Sequence, residues 1–171
     1  MKKTVLTFGV ISGGIMALMM VITASIAHKM KDFDMGEVLG YSTMILASIM
    51  LFVGVKSYRD NANNGVISFG KGFKVALLIT LISTLLYVIT WMVLSYTIMS
   101  DFMDQYSAAM VEKAKSSGLT AEQLAAKKAE MEMYKEMYQN PLWRAAFTFI
   151  EPLPVGIPMS IIAALVFKKK P

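Results

Sequence analysis

Four long runs of apolar residues set the pattern of the chain. They cover Thr4 to Ala27, Val38 to Val55, Phe73 to Met99, and the stretch from Arg144 to Phe167. A helix rises 1.5 Å per residue, so about 20 residues cross a hydrocarbon core of roughly 30 Å. Each run therefore predicts a membrane-spanning helix, with bounds of about 5–27, 38–55, 74–98 and 144–167. The first run has a rival reading as a cleaved signal peptide, with Lys2-Lys3 as its basic start and Ser25-Ile26-Ala27 at the cut. Its apolar core exceeds the usual 7–15 residues, which favours a retained span.

Between the third and fourth runs the pattern changes. Residues 100–140 hold five Lys and seven acidic residues at helical spacing. Phe102, Tyr106 and Met110 step by four, and Leu124, Met131, Tyr134 and Tyr138 form a second stripe. Ser116-Ser117-Gly118 interrupts the pattern, with Gly118 suited to a helix C-cap. Thr120-Ala-Glu-Gln123 reads as a capping box, and Asn140-Pro141 as a stop. The expectation is a helical hairpin outside the bilayer whose first arm continues the third span. The fold class is all-α: a polytopic membrane protein, one integral-membrane domain over 1–171, with four transmembrane helices and this extramembrane hairpin.

Composition agrees with a membrane and removes several kinds of chemistry. The chain is 56% hydrophobic and 17% charged, which is unusual for a soluble domain. It has no Cys and one His, His28, so disulfides, thiolate metal sites and histidine clusters are excluded. No nucleophile–histidine pair and no paired acids within a span point to an enzyme, and no catalytic, cofactor or metal residue is assigned. The net charge of +5 gathers at the ends of apolar runs and gives no nucleic-acid stripe. Nine basic residues fall on one side: Lys2, Lys3, Lys56, Arg59, Lys71, Lys74, Lys168, Lys169 and Lys170. The other side has Lys29, Lys31, Arg144 and a hairpin of net charge −2. By the positive-inside rule both termini are expected in the cytoplasm and the hairpin outside.

Small residues predict where helices meet. Gly9 and Gly13, Gly36 and Gly40, and Gly156, Ser160 and Ala164 recur every four residues on single faces, the pattern that lets backbones approach in lipid. Gly65-Val-Ile-Ser-Phe-Gly70-Lys71-Gly72 nearly matches a phosphate loop but lacks its Ser/Thr, and reads as a flexible connection at the headgroups.

Three stretches carry a resemblance. They are Lys56-Ser-Tyr-Arg-Asp60 with Ile67-Ser-Phe-Gly-Lys-Gly-Phe-Lys74, Tyr87-Val-Ile-Thr-Trp91 leading to Asp101-Phe-Met-Asp104, and Phe149-Ile-Glu-Pro-Leu-Pro-Val-Gly156. Together they resemble a bacterial family of small four-span membrane proteins, domain of unknown function 4199. The resemblance implies the same four-span layout in a bacterial inner membrane. It brings no activity and no ligand residue.

Glu151 is the acid inside an apolar run, and charged residues there usually face the protein interior and find a partner. Arg144, two turns away on one face, and Thr90 and Tyr87 at similar depth are its expected neighbours, with Thr23, Ser42 and Thr43. One reading is a proton or cation site, since broken helices at ion sites carry such prolines as Pro152, Pro154 and Pro158. The other is a polar clamp on carbonyls freed by those prolines. The sixteen Met favour adaptable packing over a Cu(I) site at Met131, Met133 and Met137. The expected role is an interaction, accessory or structural component of the membrane, with the lipid bilayer and a membrane-protein partner or further copies as its company. The alternative is a small oligomeric proton- or cation-coupled carrier or sensor using Glu151.

Overall fold

A computed structural model describes residues 1–30 and 33–169, with the side chains of 27–30 outside the description. Lys31 and Lys170, used in the charge count, lie outside the described residues, as do the side chains of His28, Lys29 and Met30. Eight α-helices appear among the described residues: α1 (Lys2–Met30), α2 (Phe33–Ala47), α3 (Ile49–Ala62), α4 (Phe69–Tyr96), α5 (Phe102–Ser116), α6 (Ala121–Gln139), α7 (Pro141–Ile150) and α8 (Leu153–Phe167). Six of them form four helical stretches long and apolar enough to cross a membrane: Lys2–Ile26, Phe33–Ala62, Phe69–Tyr96 and Pro141–Phe167.

These bounds correct the sequence reading in three places. The second stretch starts five residues before Val38 and runs past Val55. A helix outlasts the uncharged run because charged ends such as Lys56 and Arg59 reach the headgroups without unwinding it. The second and fourth stretches are each broken. Ser48 separates α2 from α3, and its hydroxyl donates to the Ile45 carbonyl at 2.6 Å. At Glu151-Pro152 the chain passes from α7 to α8, where Pro152 and Pro154 offer no N–H to the preceding turn. Finally, α5 does not continue α4. The helix ends at Tyr96, and residues 97–101 turn before α5 begins.

The local signals elsewhere hold. Gly118 has φ of 73° after α5. The Thr120 hydroxyl accepts from the Gln123 N–H at 3.3 Å, and the Gln123 side chain accepts from the Thr120 N–H at 3.0 Å, completing the capping box. The Asn140 side chain caps α7 by accepting from the Leu142 N–H at 2.9 Å.

The central helix is α4, which packs on α1, α3, α7 and α8. Val5, Tyr58, Ile67 and Ala163 share one buried cluster, so both chain termini and the α3–α4 connection lie at one end of the bundle. Ala24, Leu94, Met99 and Phe102 meet at the other end. The α3–α4 connection is pinned, which corrects its reading as a flexible loop. Ile67 is buried, and its N–H and C=O pair with Lys169 at 3.0 and 2.9 Å.

Polarity is arranged inside out. Leu18, Val38, Leu46, Ile89 and Val166 stand outward with more than half of their surface exposed, whereas Ser12, Ser48, Thr80, Ser83, Thr84 and Ser160 are buried. Close backbone approach explains this core. A Cβ added at Gly9 would lie 2.8 Å from Ile82, and one at Gly13 would lie 2.6 Å from Leu86 and 3.0 Å from the Ser83 backbone. Gly156 backs directly onto the Thr80 side chain, and the Ser160 and Thr80 hydroxyls meet at 3.1 Å. Gly54, absent from the sequence expectation, fits against Phe8 and Ile79. Gly40 is the exception: a Cβ there would meet nothing within 4 Å. It faces a cavity, as does Gly36.

Overpacking a tight helix contact costs about 1–3 kcal/mol. Gly13→Val should therefore melt well below the parent protein in the same detergent, whereas Gly40→Ala should melt at or slightly above it. Equal melting temperatures for the two variants would contradict the packing described.

Candidate functional site

Helical periodicity aims one face of several helices at a common space. On α1, Met16, Met19, Met20, Thr23 and Ala24 share a face, and on α2 Phe33, Glu37, Gly40 and Met44 do. Tyr87 and Trp91 come from α4. Phe102, Tyr106 and Met110 come from α5, and Met131, Tyr134 and Tyr138 from α6. Phe147, Thr148 and Glu151 come from α7. Together they enclose a cavity of about 630 Å³ toward the α5–α6 end of the bundle. The aromatic stripes of α5 and α6 thus meet each other and roof this space. The Phe102 and Tyr138 rings lie 6.2 Å apart between centroids, and Phe33 sets its edge against Phe102 at 5.9 Å.

Glu151 lines the cavity and is exposed. The α7–α8 break places it there. Ten residues of α7, about 15 Å of helix, separate it from the Asn140 cap. Tyr87 lines the same cavity as Glu151. Thr23 and Thr43 also line the cavity.

Arg144 does not join this group, which corrects its expected pairing with Glu151. Its guanidinium donates to the Ser95 hydroxyl and twice to the Tyr138 carbonyl, each at 3.1 Å. It also lies over the Tyr96 and Tyr138 rings at 4.6 and 4.7 Å. A planar, forked cation fits such a stacked, multidentate seat, and Arg144 there ties α4, α6 and α7 together. Thr90 stays apart as well, donating to its own helix at the Leu86 carbonyl, 2.8 Å away. Ser42 is exposed and outside the cavity wall.

The residue that sequence reasoning missed is Glu37. Left just outside the predicted second span, it lies one turn into α2 and faces the same cavity as Glu151. The signal was present in the spacing of Phe33, Glu37, Gly40 and Met44, which continues the helical face before the uncharged run begins. Other wall charges are already paired. Lys127 meets Glu130 at 3.0 Å, and Asp34 at the rim meets Lys113 at 2.8 Å. Among the described residues Glu37 and Glu151 have no ion-pair partner.

The methionines fall differently from a hairpin copper site. Met131 is buried in the cavity wall, whereas Met133 is 49% exposed and outside that wall. Most of the cavity thioethers belong to the bundle and α5. Among the described residues no group of three or more His, Cys, Asp or Glu could hold a metal ion.

Trp91 closes one corner of the cavity, its Nε1–H donating to the Tyr138 hydroxyl. Burial pushes the Tyr138 phenol up to about 12. An unfolded chain ionises tyrosine near pH 10. This stabilising contribution is thus complete below about pH 10 and lost as pH rises through about 12. At about pH 11 the parent should have lost about 1 kcal/mol that Tyr138→Phe has not. Chemical denaturation of both proteins at the two pH values checks this, and parallel losses would refute it.

A search of the curated proteins returns no match, and neither does a search of the solved structures. A family model matches residues 7–169, nearly the whole chain. The chain is therefore a member of that family, described as protein of unknown function (DUF4199).

Proposed function

We propose that this chain is a ligand-binding protein of a bacterial inner membrane, a sensor or small carrier whose working part is the cavity around Glu151. Both termini lie in the cytoplasm, and α5 and α6 form a helical hairpin outside. The cavity carries the reading. Ligand sites are concave spaces of about 300–1,000 Å³, mostly apolar, with a few placed polar groups. A cavity of about 630 Å³ walled by methionine and aromatic side chains, with Glu151, Glu37 and Tyr87 reaching into it, has that form. An accessory subunit that acts only by touching another membrane protein needs no such space. Charge supports the orientation: Lys2, Lys3, Lys56, Arg59, Lys71, Lys74, Lys168 and Lys169 belong to one end, and residues 100–140 carry net −2. A carrier role further requires several copies, because four spans leave one protomer little room for a pathway.

The chain has no cysteine, so an introduced one reports alone. Ser117→Cys should react with a membrane-impermeant maleimide in cells whose outer membrane is opened. Asn64→Cys should react only after lysis. The reverse pattern would invert the topology.

The cavity is tested by ligand screening on protein in nanodiscs. Lipophilic compounds of positive, negative and zero charge are scored for saturable change in Trp91 emission, with Trp143→Phe leaving one reporter. At least one class should saturate, and Ala24→Phe, which fills the space, should abolish it. No saturation by any class in a well-folded sample would leave the accessory role as the better reading.

A further inference from the structure

We infer that the ligand of this cavity is an organic cation with a ring-bearing apolar body, such as a quaternary ammonium or phosphonium. The inference rests on the cavity being the working site and adds the chemistry that it selects. Size excludes a bare ion as the natural occupant. A space of about 630 Å³ would leave most of its wall without contacts around one metal ion. The ligand set agrees, since no cluster of three ligating side chains exists among the described residues.

Charge sets the sign. Lys127 is the one lysine in the wall among the described residues, and Glu130 already holds it at 3.0 Å. Lys113 is held by Asp34 at the rim at 2.8 Å. What remains facing the space is Glu37 and Glu151, two carboxylates without an ion pair among the described residues. An anionic ligand would meet both and find no free cation in the wall among the described residues. A cationic ligand would offer both carboxylates a partner.

The walls set the body. Tyr87, Trp91, Phe102 and Tyr106 line the space with aromatic rings, whose quadrupole attracts a cation. The methionines around them are unbranched and polarizable, so they fit differing apolar shapes. A small inorganic cation would have to shed its water without a ready cluster of ligating side chains among the described residues. A bulky organic cation is weakly hydrated and loses little on entry.

Two probes of the same shape and opposite charge test this on the full-length Trp143→Phe protein in nanodiscs of zwitterionic lipid. Tetraphenylphosphonium should quench Trp91 saturably, and tetraphenylborate should not. Glu151→Gln should weaken tetraphenylphosphonium at least ten-fold while its melting temperature shows that it remains folded. Glu37→Gln supplies a second carboxylate test if that variant does not accumulate, with a weakening of several-fold. Saturation by tetraphenylborate as tight as by tetraphenylphosphonium would overturn the cation assignment and leave the cavity reading standing. Tetraphenylphosphonium binding untouched by both carboxylate changes would overturn it too. Failure of both probes, together with failure of every class in the wider screen, would take the cavity reading down with it.

Discussion

Everything in this fold depends on how closely other helices can approach α4. In hydrocarbon, apolar side chains gain nothing by leaving the solvent, since the solvent is equally apolar. Association must come from contact between backbones and from hydrogen bonds across helices. Gly9, Gly13, Gly54 and Gly156 supply the first, each standing against α4 where a Cβ would collide. The buried hydroxyls of Thr80 and Ser160 supply the second. Larger side chains are thereby displaced outward to lipid, which accounts for the inverted arrangement of polarity. The same constraint determines where the bundle is loose. At Gly40 no helix approaches, and the space left over becomes the cavity.

The breaks in the second and fourth stretches serve that space differently. At Ser48 the interruption is one residue, and the hydroxyl repairs it by bonding its own preceding turn. At Glu151-Pro152 the prolines remove donors and α8 starts afresh, so the carboxylate lies at a joint. Arg144 then acts at a distance from that joint. By holding Ser95, the Tyr138 carbonyl and two rings, it fixes how α7 enters the bundle, and so where Glu151 points. The cation that looked like a partner for the acid is a brace for the helix that carries it.

Much of the fold was legible because membrane spans announce themselves through length and absence of charge. Caps were legible too, since Thr120, Gln123 and Asn140 act on neighbours in sequence. The site was legible only in part. Glu151 stood out because an acid in an apolar run is rare, and Tyr87 because it falls at the same depth. Glu37 did not stand out, since charge density near a helix end looks like a loop whichever face the residue takes. Arg144 was misassigned for a related reason: spacing along one helix gives a shared face, but Tyr138 and Ser95 on other helices competed for the guanidinium. Sequence spacing also could not distinguish a glycine packed against a helix, such as Gly13, from one facing empty space, such as Gly40.

The pairing of Ile67 with Lys169 has a bearing on what the molecule can do as a machine. It fastens the connection between the second and third spans to the end of the fourth, over a cluster of buried side chains. The cavity lies beyond that cluster, toward the opposite end. The bundle is thus a cup whose base is fastened and whose rim is roofed by α5 and α6. Net movement of a solute across the bilayer would require undoing two backbone hydrogen bonds and repacking the base. Reporting that the cup is full requires only that its rim, the α5–α6 pair, settle differently around the contents.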